Sequence, residues 1–231
     1  MFYYYGRKKK IAGLYPDPRH GVIVEPFAGS ASYSLHGERW MNDVILVERD
    51  PDVAALWRWL IGSATSNEVM LLPDLVEGER TSSFLHILHM GSKRAFTYRS
   101  ATVTRFMVES WTASKSYMAS NLHKVKHWTL VEGDYTSAPD VDATWFIDPP
   151  YQGDAGTGYR FGSGGLDYGA LGSWVRSRRG HVMACDAPTA TWLPFRPWAQ
   201  TVAHAGKQSV EGLYEHGGTA FDPSPVSELF G

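Results

Sequence analysis

The chain has 231 residues, 43% of them hydrophobic, with a net charge of −2 and a single cysteine, Cys185. That supplies enough apolar material for a full core and excludes a disordered or fibrous protein, an internal disulfide framework and a cysteine-rich zinc site. The lone cysteine points to a reducing, cytosolic setting, and no apolar run approaches the roughly 18 residues that span a bilayer.

The opening Tyr3-Tyr4-Tyr5-Gly6-Arg7-Lys8-Lys9-Lys10 is too aromatic for a solvated tail: its tyrosines want packing, and Gly6 permits a turn beside them. Residues 21–24 then form a short β-branched run that breaks at Glu25-Pro26-Phe27-Ala28-Gly29-Ser30-Ala31-Ser32. This pattern predicts a strand, a turn of small residues that lets a ligand approach the backbone, and a helix capped by Ser30 or Ser32. With only Gly29 as glycine, the turn falls short of a full dinucleotide fingerprint. A second strand over residues 44–47 ends at Glu48, 19 positions after Gly29. The spacing is close to the roughly 20 expected of a carboxylate that grips ribose hydroxyls at the end of a second strand. A helix over Pro51–Ile61 follows, with Val53, Ala54, Leu56, Trp57 and Leu60 as its core stripe.

Between residues 62 and 128 the character changes, and the segment predicts a small, mostly helical lobe inserted into a sheet domain made of residues 1–61 and 129–231. An acidic, glycine-broken piece leads into a basic zone, where Arg80, Lys93, Arg94, Arg99, Arg105, Lys115, Lys124 and Lys126 face Glu109 alone. Met107, Trp111, Met118, Leu122 and Val125 recur there at helical intervals, with the lysines mostly off that stripe. Together with the basic first 20 residues, this forms an electrostatic footprint for a polyanion; a plain solvated face is the competing reading. His123 and His127, four apart, lack a third ligand at a recognisable spacing, so no metal is expected.

The sheet resumes over residues 128–131 and ends near Asp134, placed to accept from the amino group of a bound adenine. Next, the aromatic and β-branched run Ala143–Ile147 predicts a buried strand that stops at Asp148-Pro149-Pro150-Tyr151, since a proline pair cannot continue a ladder. Such an edge suits a weak amine nucleophile. The exocyclic amine of a nucleobase shares its lone pair with the ring, and attack requires acceptors for its N–H bonds. The Asp148 carboxylate and the Pro149 carbonyl supply two, and Tyr151 offers a ring for stacking. The four letters alone fit an ordinary strand-to-loop turn equally well. A glycine-rich loop over residues 152–165 fits a lid and a merely disordered loop equally well, followed by a helix over 167–178, a strand over 181–185, and apolar stretches near 192–198, 201–205 and 210–214 that can furnish the remaining strands.

These separate stretches agree with one another. The sequence resembles the Dam-type DNA adenine-N6 methyltransferases, whose order is cofactor motif, target-recognition insertion, catalytic tetrapeptide. Tyr5-Gly6-Arg7-Lys8 looks like the family's N-terminal aromatic-Gly-Lys motif, Glu25 through Ser30 is similar to its S-adenosylmethionine loop, and Asp148 to Tyr151 matches its catalytic motif. Lys207 and Val210-Glu211-Gly212-Leu213-Tyr214 look like its last strand motif, while Ala31 stands where a second glycine is usual. The resemblance implies an α/β, Rossmann-like sheet with helices on both faces. It implies S-adenosylmethionine held by Tyr5, Lys8, Glu25, Pro26, Phe27, Ala28, Gly29, Ser30, Glu48, Asp134 and Asp148, and catalysis by Asp148, Pro149, Pro150 and Tyr151. Double-stranded DNA would be the partner, gripped by Lys93, Arg94, Arg99, Arg105, Lys115, Lys124 and Lys126. An RNA-adenine or cytosine-N4 methyltransferase, or a non-catalytic DNA-binding relic, are the rival readings.

Overall fold

Short β-branched and aromatic runs become strands that alternate with helices. A computed structural model describes residues 1–4, 6–81, 102–202 and 208–217. The expected contacts Tyr5, Lys93, Arg94 and Arg99, and Lys207 of the last motif, lie outside the described residues. In chain order come β1 (Val22–Glu25), β2 (Asp43–Glu48), α1 (Pro51–Ile61), α2 (Ser66–Met70), α3 (Arg105–Asn121), β3 (Thr129–Glu132), β4 (Ala143–Ile147), α4 (Tyr168–Arg176), β5 (Gly180–Asp186), β6 (Arg196–Val202) and β7 (Gln208–His216). They build an α/β fold on a seven-stranded sheet ordered β3-β2-β1-β4-β5-β7-β6. The first five pair in parallel, and β7 runs antiparallel to both β5 and β6.

Successive side chains on a strand point to opposite faces, and the core divides accordingly. Ile23, Phe146, Met183 and Cys185 join one apolar cluster with Leu56, Trp57 and Leu60 of α1 and Met107, Trp111 and Met118 of α3. Val24, Trp145, Ile147, Val182 and Ala184 join another with Leu171 and Val175 of α4. Each Val, Leu, Ile, Phe or Met side chain among them contributes about 1.5–3 kcal/mol by leaving water. The chain order reverses between β1 and β4, so the carboxyl ends of these neighbours bound a crevice.

One expectation changes. The helix predicted after the small-residue turn is absent: residues 28–38 form a succession of turns ending in a single 3-10 turn, Arg39–Met41. Gly29 and Ala31 take left-handed backbone, with φ of 45° and 50°, which a right-handed helix does not accommodate. The buried Glu25 carboxylate meanwhile accepts the Ser34 N–H at 2.9 Å. In the described part of the inserted segment, the apolar stripe of α3 packs into the same cluster as β1 and α1. Among the described residues no helix is long and apolar enough to cross a membrane.

Candidate active site

Parallel strands bring their carboxyl ends to one edge of a sheet, and in this chain several of those ends carry an acid. Glu25 closes β1, Glu48 closes β2, Asp134 follows β3 and Asp148 follows β4. All four line one cleft together with Pro26, Phe27, Ala28, Gly29 and Ser30 of the turn. Counting the open solvent at its mouth, the cleft encloses about 910 Å³. Lys8 and Pro150 also line it; Pro149 is buried outside it.

The turn is held from both sides. Glu48 accepts the Gly29 N–H at 3.1 Å and the Asp50 N–H at 2.8 Å, while the Trp57 indole of α1 donates to the Gly29 carbonyl at 2.8 Å. Burial pushes the Glu48 carboxyl up to about 7 against the opposing pull of these N–H groups, and burial likewise pushes Glu25 up to about 7. Phe27 stacks on Tyr135, with ring centroids 5.8 Å apart and planes 24° from parallel. Asp134, exposed at the rim, accepts the Thr136 N–H at 2.9 Å.

Asp148 stands at the meeting point of a buried network. The Lys8 ammonium donates to its Oδ1 at 2.6 Å and to the Gly6 carbonyl at 3.2 Å, and lies 3.6 Å from Glu211 Oε1. Burial raises the Asp148 carboxyl to about 6; the Lys8 charge pulls it down and the Glu211 charge adds to the rise. Glu211 Oε1 accepts the Tyr15 hydroxyl at 2.9 Å and the Tyr151 hydroxyl as well. Asp148, Cys185 and Glu211 bring potential metal-ligand atoms within 4.8 Å of one another, but the Lys8 ammonium already serves both carboxylates as their cation.

The loop after the tetrapeptide closes one side of the cleft through Tyr159, Arg160, Phe161 and Leu166. Arg160 reaches Asp50 at 3.2 Å and Asp52 at 2.9 Å, and Phe161 lies under the Arg49 guanidinium at 4.8 Å. Gly6, at φ 71°, passes directly beneath the Tyr159 hydroxyl, where any Cβ would collide.

Several expected contacts find other work. Tyr151 does not line the cleft: its hydroxyl is engaged by Glu211, its ring packs on the core, and the Lys8 ammonium sits over that ring at 4.7 Å. Lys115 is buried, donating to Asp74 at 2.7 Å and to the Leu72 carbonyl at 3.1 Å, so it has no free charge for a polyanion. Lys126 donates to the carbonyls of Leu60, Gly62 and Ala64 around the end of α1. Arg105 is exposed and pairs with Glu109 at 2.8 Å, and Lys124 lies 5.8 Å from the Trp40 ring. His123 and His127 pack on that same Trp40. Glu211 is the member of the network that sequence reasoning left without a role. Its place in the Val210-Glu211-Gly212 stretch of a late strand was the signal for it.

No protein-family model matches the chain, and no curated protein matches it.

Proposed function

We propose that this chain transfers a methyl group from S-adenosylmethionine to the N6 amino group of an adenine turned out of DNA. The observation that carries this reading is the convergence of Asp148, the Glu25-to-Ser30 turn, Glu48 and Asp134 on one cleft at adjacent strand ends. The strand order supports it: β3-β2-β1-β4-β5 is the nucleotide-binding succession of a Rossmann-like sheet, with β7 inserted antiparallel beside β5.

The lining also fits the cofactor. Glu25, Glu48, Asp50, Asp134 and Asp148 face Arg7, Lys8, Arg49 and Arg160, and two of these cations are already committed to Asp148 and Asp50. What remains is Glu25, Glu48 and Asp134 beside Arg7 and Arg49, with aromatic walls at Phe27, Tyr135 and Phe161, a lining that suits a cation carrying a ribose and an adenine once those acids are ionised. Bound there, the cofactor supplies a methyl group already activated on a sulfonium. The protein's task is therefore alignment and charge placement. Glu48 retains lone pairs for ribose hydroxyls while it holds the turn. Lys8 fixes Asp148 through Oδ1, which leaves Oδ2 to accept an N–H of the target amine. That amine is paired and out of reach inside a duplex, so the base must leave the stack.

The test is transfer of labelled methyl from S-adenosylmethionine to DNA, with nucleosides identified by mass. N6-methyladenine is the expected product; N4-methylcytosine, or transfer to RNA alone, would reassign the substrate. Asp148→Ala is expected to lower turnover by roughly 100-fold or more while calorimetric binding of the cofactor survives. Near-wild-type turnover in that variant would end the proposal.

A further inference from the structure

A second cavity lies behind the turn, between the N-terminal segment and α3. Its walls include Arg7, Lys9, Ser30, Ser32, His36 and Tyr117, and it shares Arg7, Ser30 and Ser32 with the acidic cleft. The two cavities differ in character: among the described residues no carboxylate lines this one, whereas five line the cleft. Neither Arg7 nor Lys9 has an acidic partner within ion-pair distance among the described residues. Each instead rests on an aromatic ring, Arg7 4.0 Å from the centroid of Tyr3 and Lys9 4.3 Å from that of Tyr117. Both tyrosines are exposed, Tyr3 at 46% and Tyr117 at 40%. Burial lowers the pKa of each cation, and the Arg7 charge lowers Lys9 further, so two like charges are held together at a cost that an anion would relieve.

We propose that this cavity holds a backbone phosphate of the nucleic-acid strand whose base enters the neighbouring cleft, with Lys9, Arg7 and one hydroxyl of the Ser30–Ser32 pair, whose oxygens lie 3.1 Å apart, as donors and the Tyr117 ring as a platform for an adjacent base. Unpaired cations and serine hydroxyls are the donors that phosphates take, and exposed rings under cations are what single strands stack upon. The shared wall explains why a phosphate site belongs at this position. Extruding a base swings the nucleotide about its own backbone, so the flanking phosphate stays beside the mouth of the pocket that receives the base. The anionic chemistry equally fits free inorganic phosphate, and the experiment separates the two sources. The inference rests on the proposed nucleic-acid substrate but not on methyl transfer.

The test reads binding alone. Fluorescence anisotropy of a labelled DNA oligonucleotide, measured on the full chain across a salt series, gives the slope of log affinity against log salt. Lys9→Gln, which removes a charge outside the acidic cleft, is expected to reduce that slope by about 1 and to weaken binding at every sequence tried. Tyr117→Ala is expected to leave the slope and lower affinity for single-stranded DNA about tenfold. Arg179→Gln, beside the opposite edge of the sheet, should match wild type. Calorimetric affinity for S-adenosylmethionine should be unchanged in Lys9→Gln and Tyr117→Ala. An unchanged slope in Lys9→Gln overturns the proposal. So does inorganic phosphate that binds wild type but not Lys9→Gln while DNA binding stays equal, since the cavity then takes a small anion. A chain that shows these DNA effects yet transfers no methyl group would sink the proposed function and leave this site standing.

Discussion

Ala31 is held at φ 50° with its methyl buried, a conformation that favours glycine. For an alanine the left-handed region costs roughly 1–2 kcal/mol. Glycine would relieve that, but it forfeits about 0.8 kcal/mol of methyl burial and loses about 0.5–1 kcal/mol more chain entropy. The terms nearly cancel, so Ala31→Gly should change stability by less than about 1 kcal/mol in urea unfolding. Ala31→Val, which adds β-branching at positive φ in a filled site, should cost about 2 kcal/mol or more. Equal destabilisation by the two would mean that the turn does not hold this backbone. Glu211 supports a second prediction at this scale. Its charge raises the Asp148 pKa, and Glu211→Gln keeps an acceptor for Tyr15 and Tyr151 while removing that charge. The Asp148 carboxyl should then titrate below its value of about 6, as read by carbon-13 NMR of that carboxyl. A rise, or no movement, would show that the two acids do not sense each other. No sequence pattern announces such a pairing, because Glu211 meets Tyr15 across 196 positions and Tyr151 across 60.

Helix α1 shows what was readable at the scale of elements and what was not. Pro51 at its first position, Asp50 as its cap and the stripe from Val53 to Leu60 all act locally, and the helix appears over Pro51–Ile61 as expected. Strand β4 was legible for the same reason, since five consecutive buried residues need no distant partner to be recognised. The helix expected after Gly29 failed because the decisive features, two left-handed residues and a buried acid that claims the Ser34 N–H, are conformational. Counting charges does not see the partners of a lysine, such as Asp74 beside Lys115 or the carbonyls around Lys126. Lys126 closes the carboxyl end of α1 by donating to three carbonyls, the nearest at 2.6 Å. Lys126→Met should therefore cost about 1 kcal/mol of stability and leave the salt dependence of DNA binding unchanged. A reduced salt slope at wild-type stability would return Lys126 to the nucleic-acid surface.

Across the molecule, the two cavities differ in their acids: Glu25, Glu48, Asp50, Asp134 and Asp148 line the cleft at the strand ends beside four cations, whereas among the described residues Arg7 and Lys9 line the cavity behind the turn with no acid. This difference suits a cationic cofactor and a polyanionic substrate that must meet at one wall without attracting each other's sites. It also fixes how cofactor affinity depends on pH. Burial raises Glu25 and Glu48 to about 7 and Asp148 to about 6, so all three are largely neutral at pH 5 and ionised at pH 8. The ionised cleft attracts a sulfonium more strongly than the protonated one. Affinity for S-adenosylmethionine should therefore rise between pH 5.5 and 8, by roughly tenfold for each unit by which binding lowers the combined carboxyl pKa values. By the same linkage, binding near pH 6.5 should release protons, which calorimetry in buffers of different ionisation enthalpy detects. Sinefungin, whose amine replaces the sulfonium and is protonated in this range, should follow the same trend. S-adenosylhomocysteine, which lacks the sulfonium charge, should show a weaker pH dependence. An affinity that falls as pH rises would mean that these acids do not face the ligand's charge, and the assignment of the cleft to a cationic cofactor would fall with it.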